Sequence, residues 1–163
     1  MDAPQSLPLS MKALAVCTLT LYLKFLVTTM IQGRKGFAAG TRVPEDNQLP
    51  MAKTQGAEAF DFRIDVPNDQ VKLAIEAEMR WKRIIQNDLE SMPMALAVFI
   101  TTNFVGGNPR LNACVITVYT GARCAHTIAY ATSRPLARMM AWMIGIVCIL
   151  TAAVDGVYTV VTH

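Results

Sequence analysis

Residues 9–32 form an apolar run with two charged side chains, Lys12 near its start and Lys24 in its middle. A helix crossing the hydrocarbon core of a bilayer needs about 20 such residues, and this run supplies them. The rest of the chain fits the same surroundings. Only 17% of its residues are charged, against about a quarter in a soluble domain. Most of those charges fall between residues 34 and 90, and long stretches elsewhere carry almost none. A polytopic membrane protein is therefore expected. At 163 residues the chain has the length of one domain, residues 1–163. A lysine in mid-span either snorkels to an interface or points inward, and Lys24 is expected in the bundle interior or at a subunit contact.

Turn residues divide the chain into four helices. Gly33, Gly36 and Gly40 are expected to end the first, at about 9–32. Pro44, Pro50 and Pro67 prevent another long helix in the polar connection, 33–68. Residues 66–69 read as an N-cap region, so the second helix, about 69–105, is expected to start near Asn68 or Asp69, and it is longer than a bilayer is thick. Its first turns must stand in water, and Pro93 should kink it. Gly106, Gly107, Asn108 and Pro109 form a tight turn, with Asn108 as N-cap and Pro109 at the first helical position of a third helix, about 109–132. Ser133, Arg134 and Pro135 separate it from a fourth, about 135–161. The fold class read from this pattern is an all-α integral membrane four-helix bundle.

Lysine and arginine are concentrated around the first and third connections, with Lys53 and Arg63 among them, so that side is expected to be cytosolic and both termini lie opposite. The N-terminus lacks the basic start of a signal peptide. Cys17, Cys114, Cys124 and Cys148 each lie in an apolar segment and form no CxxC pair, so they read as buried thiols or lipid-facing small hydrophobes. No basic run is interleaved with aromatics, so nucleic acid is excluded as a partner. His126 and His163 are the only histidines, and no metal site is expected.

Polar groups gather near one level of the expected bundle. Arg83, Asn87 and Glu90 lie at i, i+4 and i+7 on the second helix, on one face. Arg123, His126 and Tyr130 share a face of the third. Arg138 opens the fourth, and Arg34 lies near the end of the first. Polar clusters at membrane depth mark functional sites. Arginines outnumber acids, which suits an anionic ligand held through its carboxylates. Glu90 could take an ammonium group, so a small peptide fits better than a fatty acid or a phosphate. Plainer readings stand beside these. Arg83, Asn87 and Glu90 could be a solvated helix end, Arg123 could pair with an acid inside the bundle, His126 could bridge helices, and Tyr130 could be an interfacial anchor. Arg138 is harder to explain locally. A cation in the first turn sits at the positive end of the helix dipole and gains nothing there, unless it and the helix N-terminus face an anion together.

Three segments resemble the MAPEG family, the membrane-associated proteins of eicosanoid and glutathione metabolism. They are Lys35, Phe37 and Ala38 with Pro44, Glu45 and Asp46; the run from Arg83 through Asn87 and Asp88 to Glu90; and the run from Gly121 through Arg123 and His126 to Tyr130. Lys24 also matches a lysine of the family's first helix. The likeness covers nearly the whole chain and points to the microsomal glutathione S-transferases and prostaglandin E synthases. It implies a homotrimer in the endoplasmic reticulum, with glutathione as co-substrate bound near the cytosolic face. It implies glutathione contacts at Arg34, Arg83, Asn87, Glu90, Arg123, His126, Tyr130 and Arg138. Arg138 matches the arginine held to stabilise the glutathione thiolate.

The departures narrow the implied activity. Ile84 and Ile85 stand where relatives have alanine and histidine. Met139 replaces a serine and Trp142 a tyrosine of the prostaglandin synthase, and residues 39–42 are an insertion. A glutathione transferase and peroxidase is least affected, since it needs an activated thiolate, an apolar cleft, and a hydrophobic electrophile or lipid hydroperoxide arriving from membrane lipid. An eicosanoid synthase of prostaglandin E or leukotriene C type, or a non-catalytic lipid-presenting scaffold, are the alternatives.

Overall fold

A computed structural model describes residues 7–50 and 69–162. The expected Asn68 cap, Lys53, Arg63, Pro67 and His163 lie outside the described residues. Four long helices carry the chain: α1 (Leu9–Ala39), α2 (Asp69–Phe104), α3 (Pro109–Ala131) and α4 (Pro135–Thr162), with one 3-10 turn at Pro44–Gln48. No strand occurs among the described residues. α1 and α4 are each long and apolar enough to cross a membrane on composition alone. α2 and α3 carry charged and amide side chains, exposed and buried, among their apolar ones, which lowers their average.

The turns follow from chemistry at single residues. Asn108 accepts hydrogen bonds from the backbone N–H groups of Arg110 and Leu111, and Pro109 follows it, so α3 begins as expected. Three helices end in one device, a residue in the left-handed region whose N–H, with that of the next residue, returns to the last turn. After α1, Gly40 (φ 67°) donates to the Phe37 carbonyl and Thr41 to that of Gly36. After α2, Gly106 (φ 84°) donates to Asn103 and Gly107 to Thr102. After α3, Ser133 (φ 56°) donates to Tyr130 and Arg134 to Ala129. Only the last is not glycine.

The break expected at Gly33 and Gly36 does not occur. α1 continues seven residues past Gln32, to Ala39. Glycine inside a helix costs about 1 kcal/mol relative to alanine, which is a preference and not a prohibition. Here the two glycines leave room for a side chain. A Cβ on Gly33 would stand 2.7 Å from Nη2 of Arg42, and one on Gly36 would stand 3.3 Å from its Nε. α2 holds Pro93 inside a single helix, Asp69–Phe104.

The described residues form two compact units. The first holds α1 up to Lys24, α2 from Asp88, and all of α3 and α4. Its core is built on small residues of α4: Ala141, Gly145, Cys148, Ala152 and Gly156 are all buried. They let bulky neighbours approach. The Tyr119 ring lies in contact range of a Cβ built on Gly145, at 3.6 Å, and meets Phe99 edge-on at 5.5 Å between centroids. The Tyr119 hydroxyl is 3.0 Å from that of Ser91. Thr102 donates to the Ala152 carbonyl at 2.9 Å, which ties α2 to α4. Cys17 and Cys148 are buried and Cys114 is exposed, all as free thiols.

The second unit runs from Phe25 to Asn87. Arg42, from the insertion after α1, folds back over the helix it follows. Its guanidinium carbon lies 4.9 Å from the centre of the Phe37 ring, and Nη1 reaches Asp46 at 3.4 Å. Glu78 of α2 is buried and is held by Lys82 at 2.8 Å and by Gln32 of α1 at 3.3 Å.

Candidate functional site

Lys24 points inward, as expected. Its side chain is 10% exposed, and Nζ lies 2.5 Å from Oδ2 of Asp88. The other carboxylate oxygen of Asp88 accepts from Nη2 of Arg123. Asp88 is wholly buried and Arg123 is 2% exposed along its side chain. One carboxylate thus bridges cations from α1 and α3, at a depth where an unpaired charge would be expensive. The pairing of Arg123 with an interior acid is therefore the reading that holds for that side chain's nearest contact.

Beyond Arg123 along α3, the other expected residues follow. His126 is 3% exposed, and its Nδ1 is buried with no hydrogen-bond partner among the described residues. Its ring meets Tyr130 edge-on, with centroids 5.8 Å apart. Arg138 closes the stack from α4. Its guanidinium carbon stands 4.5 Å from the centre of the Tyr130 ring. The turn at Ser133 makes this possible, since it lets α4 begin only four residues after α3 ends.

The seat of Arg138 matters for its chemistry. An aromatic face attracts a cation through its quadrupole but does not neutralise it. No carboxylate of the described residues lies within ion-pair distance of Arg138. Its charge is therefore oriented by Tyr130 and still available to an anion, at the N-terminal end of α4 where backbone N–H groups add to it.

The structure brings Arg123, His126, Tyr130 and Arg138 together within the first unit, with Glu90 on the same unit's stretch of α2. Arg34, Arg83 and Asn87 belong to the second. Arg34, Arg83 and Glu90 are exposed, and Asn87 is half-buried. The residue that periodicity missed is Asp88. It had a signal: Ile84, Met92, Ala95, Phe99 and Thr102 are the buried stripe of α2, and Asp88 occupies a helical position within it.

A model of the MAPEG family matches residues 12–158. No curated protein matches the chain. The family match takes in all four helices, the buried Lys24, Asp88 and Arg123, and the stack that ends at Arg138: the chain belongs to the MAPEG family.

Proposed function

We propose that this membrane protein is a glutathione transferase with peroxidase capacity. The family holds glutathione transferases and eicosanoid synthases alongside non-catalytic members. The observation that favours catalysis is Arg138, held on Tyr130 at 4.5 Å and paired with no carboxylate among the described residues. A scaffold has no need of a cation kept free at the mouth of a helix.

The chemistry follows from that charge. A guanidinium beside the glutathione thiol stabilises its thiolate and lowers its pKa. A depression of about two units corresponds to roughly 2.7 kcal/mol in favour of the ionised form. The proton leaves to solvent. The thiolate sulfur then bonds to an electrophilic carbon, whose leaving group departs with its electron pair. With a lipid hydroperoxide the sulfur attacks the terminal oxygen, the O–O bond breaks and the alkoxide leaves as the alcohol after taking a proton from solvent; the sulfenic acid then condenses with a second glutathione to the disulfide, releasing water. The contacts of Arg34, Arg83, Asn87, Glu90, Arg123 and His126 with glutathione, the homotrimer, and a site facing the cytosol from the endoplasmic reticulum are supported by the resemblance. Hydrophobic co-substrates would arrive laterally from the bilayer.

The test is steady-state conjugation of glutathione to a chlorodinitrobenzene by the detergent-purified protein. Replacing Arg138 with alanine should lower kcat far more than it raises KM for glutathione. A change in KM alone would make Arg138 a binding clamp and remove this mechanism.

A further inference from the structure

Asp155 is an acid inside the apolar helix α4, and the glutathione chemistry does not use it. Its Oδ2 accepts from the Asn108 N–H at 2.9 Å and from Nδ2 of Asn112 at 3.0 Å. Both donors are neutral. Among the described residues no cation lies within ion-pair distance of it. Arg110, two residues past Asn108, is exposed and forms no ion pair with it. A carboxylate at the end of a membrane span, held only by neutral donors, can take a cationic partner.

The surface beside Asp155 is shaped for a ligand. A groove of about 510 Å³ is lined by Leu111 on α3 and by Val147, Leu150, Thr151, Val154, Asp155 and Tyr158 on α4, the Thr151 hydroxyl being turned onto the Val147 carbonyl at 2.8 Å. Asp155 marks its membrane-surface end, because it bonds the turn that joins α2 to α3. The apolar lining runs the other way, toward the bilayer centre. From Asp155 back to Val147 is about 12 Å along the helix, at roughly 1.5 Å per residue. Acid at the surface and hydrocarbon beneath it is the complement of an amphiphile with a cationic head.

We propose that this groove binds a membrane lipid carrying a primary ammonium headgroup, with the ammonium on Asp155 and one alkyl chain along Val154, Leu150 and Val147. A primary ammonium can donate N–H bonds to the carboxylate. A quaternary one cannot, and the single ring of Tyr158 is no aromatic cage. The site is separate from the glutathione reading and depends only on the chain residing in a membrane.

The test uses the full chain in phosphatidylcholine vesicles and measures the motionally restricted fraction of two electron-spin-labelled probes, stearylamine and stearate. Stearylamine should be preferred by about threefold, as suits one ion pair near a surface. Asp155→Asn keeps both hydrogen bonds and should abolish the preference, while Asp155→Glu should retain it. Val154→Trp fills the groove, leaves Asp155 its partners, and should also remove the preference. It therefore decides the matter should the variants at Asp155 not fold. Equal restriction of the two probes in the wild type would overturn the proposal, as would a preference that survives Asp155→Asn or Val154→Trp. Stearate being preferred would assign the surface to Arg110 and overturn it too.

Discussion

Replacing Asp88 with asparagine should be among the most damaging single changes in this protein. Asp88 is wholly buried and serves both Lys24 and Arg123, so the three side chains together carry one net positive charge. The neutral amide would take away the carboxylate that faces both buried cations. Removing one partner of a buried ion pair costs about 3–5 kcal/mol. For a chain of this size that lowers the melting temperature by about 6–20 °C, at roughly 2–4 °C per kcal/mol. Lys24→Met behaves differently. It leaves Asp88 paired with Arg123 as a neutral couple, and its loss should stay under about 2 kcal/mol. The double variant Lys24→Met with Asp88→Asn leaves one cation facing the amide instead of two. It should therefore melt above Asp88→Asn alone. Thermal unfolding of the detergent-solubilised protein measures all three. Should Lys24→Met cost as much as Asp88→Asn, or the two losses simply add, the charge accounting is refuted, because independent contacts add and a shared counter-ion does not.

Other outcomes follow from single positions. Ser133 sits in the left-handed region at φ 56°, where a non-glycine residue is disfavoured by about 1–2 kcal/mol; Ser133→Gly should raise stability by about 1 kcal/mol in the same melting experiment, after the extra freedom glycine gives the unfolded chain. Gly107→Ala should lower it by about 1–3 kcal/mol, because the new Cβ would stand 2.5 Å from Oδ2 of Asp155 and 2.7 Å from Cγ2 of Thr102. Tyr119→Phe loses the hydroxyl contact to Ser91, at 3.0 Å, and should cost about 1 kcal/mol.

What could be read from the sequence was whatever depends on neighbouring residues. The Asn108–Pro109 start of α3 is a local hydrogen-bonding pattern and stands where it was expected. Lys24 was legible as an interior residue because it is the one charge in the middle of its apolar run, with Lys12 near the start. Gly33 and Gly36 misled because their effect depends on Arg42, which returns from six and nine residues further along. Glycine spacing says nothing of a side chain arriving to fill the gap. Asp88 was hidden beside Asn87. The polar face through Arg83, Asn87 and Glu90 drew attention, while the acid one position on belonged to the apolar stripe. Its meaning lay in two partners from other helices, Lys24 at a separation of 64 residues and Arg123 at 35. The stack of His126, Tyr130 and Arg138 was half visible. Spacing put the first two on one face, but only the tight turn at Ser133 brings the arginine onto the ring.

The central claim is that Arg138 holds its charge free to ionise a thiol. It is tested most directly by rapid mixing of the purified protein with glutathione while the ultraviolet absorbance of the thiolate is followed, with the wild type and Arg138→Ala side by side. The account predicts thiolate formation by the wild type and little or none by the variant, while equilibrium binding shows that the variant still takes up glutathione. Equal thiolate signals from the two proteins, or none from the wild type while glutathione is bound, would contradict it.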